Sequence, residues 1–485
     1  MTALLWFRQN LRLHDNPPLV QAANESHHGV LPVYLFNESP PHRSFGGASK
    51  WALHNALTHL NQRLHDDYNQ TLYVEKTDAL IQRLVEIAQD VGADTVYSEQ
   101  RWEPGATQLE ADLKEALYNK GMNLVLCNAS LLQPAMEGCK ANGEPYLVFT
   151  PYWKKQYAAL KDSLRDVHHA PENLPKIKSL NQQYQSFELD SLDLLPTRNW
   201  YEEMENQWEL SEAEGQKRLH RFLDGYATEY KTTRNLPAIE GTSTLSTYFH
   251  FGVMSVVDVF HKVQSKINLC SQQDHIESLQ TYLSELGWRE FAHHLLYYFP
   301  QTPEKALKEK YQAFPWEPDK AYLHAWQHGQ TGYPIVDAGM RQLWATGWMH
   351  NRLRMIVGSL LVKHLLQPWQ DGETWFWDTL IDGDTASNTL GWQWISGCGA
   401  DASPYFRVFN PITQSEKFDK NGEYIRKWVP ELTNVPNEFI HTPWEMTTSQ
   451  QSRYKVRIGK DYPEPIIGHK EGRQRALDAF QTIKG

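Results

Sequence analysis

The sequence predicts an α/β amino-terminal domain built on a doubly wound parallel sheet, followed by an all-α domain. Over the first ~130 residues short apolar runs alternate with amphipathic stretches, the pattern of parallel βαβ units. From Gln207 onward apolar residues recur at helical spacing. A chain of 485 residues exceeds one ordinary domain, so two sizeable cores are expected.

Thr2–Phe7 and Gly29–Phe36 read as strands, 48–66 as a helix with apolar residues at helical spacing, and 93–98 as a further strand. No GxGxxG or P-loop follows any of them, so the glycine pattern argues for neither a dinucleotide nor an NTP. Residues 133–206 mix Pro, Asn, Ser and charge with little sustained periodicity and read as a connector between domains. The expected organisation is therefore 1–132 as the α/β domain, 133–206 as connector and 207–485 as the helical domain.

Composition narrows the chemistry. Eighteen Trp and 12% aromatic residues suit a protein that stacks planar ligands. Four cysteines, at 127, 139, 270 and 398, form no CxxC pair, which argues against zinc, an iron–sulfur cluster and a disulfide framework. No run reaches the ~18 apolar residues of a membrane span, and the chain opens on a strand rather than a signal peptide. A soluble, cytoplasmic protein is expected. The net charge of −11 opposes DNA binding unless basic groups are concentrated locally, with Arg234, Arg352, Arg407 and Lys417 as candidates and the acidic excess in 201–214.

The densest information lies between Gln330 and Gln393. A helix starting near Trp348 would place Trp348, Asn351, Arg352 and Met355 on one face: an aromatic plate, an amide, a guanidinium and a thioether suited to a flat ligand. His350 should then point about 100° away from Asn351, in a structural or phosphate-facing role. The turn Asp382-Gly383-Asp384 follows, then Asn388, Trp392 and Trp394. Earlier, GTSTLS offers hydroxyls and backbone N–H groups ahead of a helical stretch, an arrangement suited to phosphate.

These segments, with LLWFRQNLRLHDNPPL, EYKTTRNLPAIEGTSTLS, ELGWREF, TGYPIVDA and PYFRVFNPITQSEKFDKNGEYIRKWVPEL, resemble the photolyase/cryptochrome family over essentially the whole chain, in the family's order. The pattern is most similar to bacterial photolyases acting on cyclobutane pyrimidine dimers. The resemblance implies non-covalent FAD, held by Tyr230, Thr242, Ser243, Leu245, Ser246, Tyr282, Arg289, Trp348, Arg354, Asp382, Asp384 and Asn388. Arg354 and Asp382 are expected to pair beside the isoalloxazine ring, and Asn388 to address N5.

The resemblance further implies that Glu285, Trp288, Asn351, Met355 and Trp394 surround the extruded lesion, while Arg234, Arg352 and Arg407 hold the DNA backbone. Trp392, Trp369 and Trp316 match the family's electron route to the flavin. Glu285, Asn351, Asn388 and the three indoles are the expected catalytic groups. Asn351 and Met355 stand where photolyases for the (6-4) photoproduct carry histidines, so dimers are the expected substrate. The α/β domain resembles the family's antenna domain; Glu103, in SEQRWEPGAT, is a candidate contact for 5,10-methenyltetrahydrofolate. The chain departs from the family pattern at Thr244, Gly287 and Cys398. A monomer acting on damaged DNA is expected, with a flavin photoreceptor of cryptochrome type as the alternative.

Overall fold

The computed structural model describes residues 1–39 and 43–484. By packing, the chain divides into two compact units, one of Met1–Gly225 with Ser243–Pro300 and one of Tyr226–Thr242 with Gln301–Gly485.

The first unit contains a five-stranded, all-parallel sheet in the order β3-β2-β1-β4-β5. Its strands are β1 (Thr2–Phe7), β2 (Gly29–Phe36), β3 (Tyr73–Lys76), β4 (Thr95–Glu99) and β5 (Asn123–Cys127). Helices α1 (Pro17–Glu25), α2 (Gly47–Tyr68), α3 (Leu80–Asp90) and α4 (Ala106–Tyr118) connect them, which is the doubly wound architecture expected. The inner strands β1, β2 and β4 are buried along almost their whole length; β1 and β2 accordingly appear in the sequence as apolar runs, whereas β4 buries Thr95, Ser98 and Glu99 among its five residues. The edge strands β3 and β5 are largely half-exposed, and the hydropathy pattern does not disclose them.

One stretch of 133–206 departs from the irregular connector expected. Helix α5 (Phe149–Ser163) runs for fifteen residues and buries Phe149, Tyr152, Gln156 and Leu160, a stripe that a Gln and flanking lysines disguise. The long helix Gln273–Tyr298 completes the scaffold of this unit that matters for function. At Gly252 the backbone has φ +63°, and a Cβ there would lie 1.9 Å from the Gln9 carbonyl oxygen, so only glycine lets this turn meet the loop after β1.

The second unit is helical, with its largest core around Trp326, Trp369, Leu353, Ile356, Leu361 and Tyr424. Four successive elements frame the expected residues of this unit from Asn351 to Trp394. They are the helix Asn351–Ser359, the π-helical turn Leu360–His364 that continues it, and the helices Trp369–Thr379 and Thr385–Ile395. Among the described residues no helix is long and apolar enough to cross a membrane.

Candidate functional site

In the first unit, residues 243–247 form a tight hydroxyl-rich turn. The Tyr282 hydroxyl donates to Ser243 Oγ (3.0 Å), Leu245 N donates to the same oxygen (3.4 Å), and Thr247 Oγ1 donates to the Thr244 carbonyl (2.9 Å). Thr244 takes φ +56°, which costs a β-branched residue energy. Its hydroxyl accepts from Arg218 (3.4 Å), a cation stacked on Trp208, so positive charge reaches this position from a neighbouring helix although residue 244 itself is not basic. Ser246 is exposed and opens the short helix Ser246–His250.

On the helix Gln273–Tyr298, Glu285 and Trp288 sit three residues apart, both half-buried. Trp288 stacks on Phe149 at 3.8 Å between ring centres and 10° between planes, and Phe149 is parallel to Trp153 at 6.4 Å. Two parallel rings thus back the indole expected to face a base, and the three form one slab. It also explains Gly287: a Cβ there would lie 2.4 Å from the Trp153 ring, so the space that a side chain at 287 would fill is taken here by an indole of α5. The next two residues turn inward. Arg289 donates to the Ser130 carbonyl (2.8 Å) and lies against the Phe249 ring; Glu290 accepts from Leu132 N (3.0 Å). Burial pushes the Glu290 carboxyl up to about 7, against the pull of Arg289.

At the carboxyl ends of β1 and β4, where the strand order reverses, Arg8, Gln9, Glu99, Arg101, Glu103 and Glu110 form one polar network. Glu103 is paired with Arg101 and also accepts from Trp102 N (3.2 Å).

In the second unit the helix does not start near Trp348, as the sequence suggested. Gly347, at φ +66°, closes the preceding helix Pro334–Thr346, and Trp348 and Met349 bridge to a new helix whose N-cap is His350. Trp348 is therefore off the helical face; Asn351, Arg352 and Met355 remain on the new helix, with Asn351 exposed and Met355 half-buried. His350 is buried, and its Nδ1 accepts from Arg352 N (3.1 Å), which makes its role structural. Arg354 donates to the Met349 carbonyl (2.8 Å) and meets both oxygens of the buried Asp382 (3.0 and 2.8 Å). Asp384 caps the helix Thr385–Ile395 by accepting from Ser387 N (2.6 Å).

Asn388 is buried on that helix, and its amide nitrogen donates to both the carbonyl (3.1 Å) and the carboxylate (2.8 Å) of Glu373. Glu373 accepts and cannot donate in its ionised form, so it orients the amide and leaves Oδ1 as the atom Asn388 can offer. Sequence reasoning missed Glu373, since its partner lies on another helix.

Arg234, Arg352 and Lys417 converge. Arg352 lies 4.5 Å and Lys417 5.2 Å from the Phe418 ring centre, Arg352 also donates to Asn235 (2.6 Å), and after burial the charge of Arg234 is what lowers the Arg352 pKa. Arg407 is exposed on the turn after Tyr405. Tyr230 is buried, 5.5 Å from the Arg234 guanidinium. Trp392 and Trp369 are buried and Trp316 is half-buried, all three in or against the same core; Trp392 makes edge contacts with Phe376 (5.0 Å) and Trp326 (6.1 Å). Trp394 is half-buried. Cys398 is buried, and burial pushes its thiol up to about 12, which makes it an inert filler of the turn.

Two family models match this chain: one described as DNA photolyase over residues 3–176, and one described as the FAD binding domain of DNA photolyase over 282–482. A deoxyribodipyrimidine photo-lyase of Agrobacterium fabrum is 39% identical across 99% of this chain and 98% of that protein. The chain belongs to the DNA photolyase family. Within this photolyase/cryptochrome family, cryptochrome-2 of Arabidopsis thaliana is 34% identical over 99% of the chain and 79% of the plant protein. The crystal structure of a bacterial class III photolyase from Agrobacterium tumefaciens superposes with a TM-score of 0.93 at 38% identity, covering 100% of this chain and 98% of that one. The fold is thus that of a photolyase, and the chain carries the family's FAD-binding domain. The residues present fit that cofactor group by group: in the first unit the hydroxyls and backbone donors of the 243–247 turn suit a pyrophosphate, and in the second unit the Arg354–Asp382 pair and the amide of Asn388, oriented by Glu373, are the chemistry that the polar edge of a flavin needs.

Proposed function

We propose that this chain repairs cyclobutane pyrimidine dimers in DNA by light-driven electron transfer from reduced FAD. The observation that carries the reading is the Trp288 platform, an indole backed by a stacked phenyl ring on a helix that also presents Glu285. A flat apolar plate beside a carboxylate suits two linked pyrimidines of one strand drawn out of the duplex, because the dimer stacks poorly in DNA and loses little on extrusion.

Tyr230, Thr242, Ser243, Leu245, Ser246, Tyr282 and Arg289 would hold the FAD phosphates and ribose, and Trp348, Arg354, Asp382, Asp384 and Asn388 its ring system. Bound and reduced, the flavin supplies the photoexcited electron. Asn388, whose amide nitrogen is held by Glu373, would offer Oδ1 as an acceptor to the polar edge of the ring system, which would favour a form that carries an N–H there. Glu285 and Asn351 bond the carbonyl and N–H edges of the dimer where charge accumulates. Trp288, Trp394 and Met355 pack on its faces. Arg234, Arg352 and Arg407 neutralise backbone phosphates. Trp392, Trp369 and Trp316 pass an electron inward by hopping, from the half-buried end to the buried one. In the first unit, Glu103 belongs to a polar network at the sheet's switch point, the place where such sheets bind ligands, and we assign a 5,10-methenyltetrahydrofolate antenna there.

A photoreceptor reading is favoured by the plant cryptochrome similarity, but it gives no task to the Trp288 platform. The deciding experiment incubates the reduced, FAD-loaded protein with defined dimer and (6-4) lesions under blue light and separates the products. Restored thymines from the dimer alone are expected; turnover of the (6-4) lesion, or of neither, overturns the reading.

A further inference from the structure

Among the described residues Lys363 is the one lysine of the helical unit that is fully buried, and nothing in the reading above uses it. It sits in the π-helical turn Leu360–His364, where Leu365 N reaches back five residues to the Leu360 carbonyl (3.1 Å). Such wide turns are rare and occur frequently at functional sites. Here two groups are aimed at one loop. The Val362 carbonyl accepts from the Tyr405 hydroxyl (3.2 Å), and Lys363 Nζ donates to the Arg407 carbonyl (2.9 Å) while lying 5.6 Å and 6.0 Å from the Tyr405 and Phe409 ring centres.

No carboxylate among the described residues pairs with Lys363. The groups that face it are Arg407 and Tyr405 on the loop and His364 on its own turn, with His469 of the helix His469–Gln481 behind His364. Burial, and then the charge of Arg407, lower the amine to about 7. A buried ammonium without a counter-ion destabilises a fold, and replacing such a group by an apolar side chain of similar volume is often stabilising. Packing therefore does not account for this lysine, whereas the segment it holds presents Phe406, 59% exposed, and Arg407 to solvent.

We propose that Lys363 is a positioning residue that fixes the 403–409 loop in the shape that presents Phe406 and Arg407 to DNA. The loop's DNA-facing role rests on the repair reading above; the anchoring itself does not. Deprotonation leaves a hydrogen-bond donor but removes the attraction to the two ring faces, so the anchor weakens as pH rises through about 7. The sign for folding is the reverse. The folded state refuses a proton that the unfolded chain keeps up to about 10.5, so this group's contribution to stability rises between pH 7 and 10.5.

The test is Lys363→Met. At pH 6.5 its FAD content should match the parent and its melting temperature should equal or exceed the parent's. Its affinity for dimer-containing duplex should fall about tenfold, and the loss of affinity that the parent shows between pH 6 and 8.5 should flatten. Binding within twofold of the parent, or a fall in affinity matched by falling Tm and FAD content, overturns the proposal. Hydrogen exchange on the parent needs neither variant nor DNA. Protection of the 403–409 amides, corrected for intrinsic base catalysis, should drop between pH 6 and 8.5, and constant protection also overturns it. A parent that shows this loss of protection yet binds no dimer refutes the repair reading and leaves the anchor standing.

Discussion

His350 shows how much one residue can do without touching a ligand. Its Nδ1 caps the helix that carries Asn351, Arg352 and Met355, while Nε2 is buried with no hydrogen-bond partner among the described residues. Burial, with the charges of Arg352, Arg354 and Arg234, pushes the imidazole down to about 3. The unfolded chain takes up a proton near pH 6.5 that the folded chain refuses until about 3, so stability is lost as pH falls through that window. His364 and His294, pushed down to about 3 and about 4 by burial, act in the same direction. His350→Asn keeps a capping acceptor without a titrating ring. Urea midpoints at pH 7.5, 6 and 5 should show the variant losing less stability on acidification, by about 2 kcal/mol at pH 5. Parallel curves for parent and variant would exclude His350 as an acid-labile point. The residue types of the site were legible in the sequence, but the partners that orient them were not. Glu373 behind Asn388 and Phe149 behind Trp288 come from distant segments, and a single sequence carries no signal for such pairs.

At the scale of elements, legibility followed burial. The inner strands β1 and β2 are buried on both faces and stood out as apolar runs; the edge strands β3 and β5 have no such contrast. The start of the helix at Asn351 rather than near Trp348 carries a signal in the sequence, the Gly347 that ends the preceding helix. The helix Trp369–Thr379 shows a constraint between elements. A Cβ on Gly372 would lie 2.1 Å from the Trp392 ring, so this glycine lets the indole rest against the helix that begins with Trp369. Gly372→Ala gains at most ~1 kcal/mol of helix propensity but overpacks the core by about 1–3 kcal/mol. It should lower Tm and slow light-driven reduction of the oxidised flavin, while repair by chemically pre-reduced enzyme persists. Trp392→Phe is the reference: it should abolish photoreduction and spare both FAD binding and pre-reduced repair. Photoreduction at the parent's rate in the Gly372 variant would mean that the indole's exact seat is unimportant.

For the molecule as a whole, the sign of the net charge misleads. A chain at −11 repels a polyanion at long range, yet Arg234, Arg352 and Lys417 gather within one unit while acidic groups crowd 201–214. Affinity for duplex should therefore fall steeply with salt, by about 0.9 decades per decade of salt for each phosphate neutralised. Arg407→Ala should reduce that slope by about one phosphate and weaken intact and damaged duplex alike. Trp288→Ala should instead erode the preference for the lesion by ~1–3 kcal/mol of lost stacking and leave the slope alone. Titrations of both duplexes at several salt concentrations separate the two effects, and a slope unchanged by Arg407→Ala would remove that residue from the phosphate contacts.

The slab of Trp153, Phe149 and Trp288 has an historical implication. With Trp153 lying where a side chain at 287 would go, substitutions at the two positions are ordered: enlarging residue 287 first meets an indole 2.4 Å away, whereas shrinking Trp153 first opens room for it. Descendants of this sequence can therefore reach a bulky side chain at 287 along one route and are barred from the other. The same asymmetry applies at the bench, where Gly287→Ile should be tolerated in a Trp153→Ala background and not in the parent.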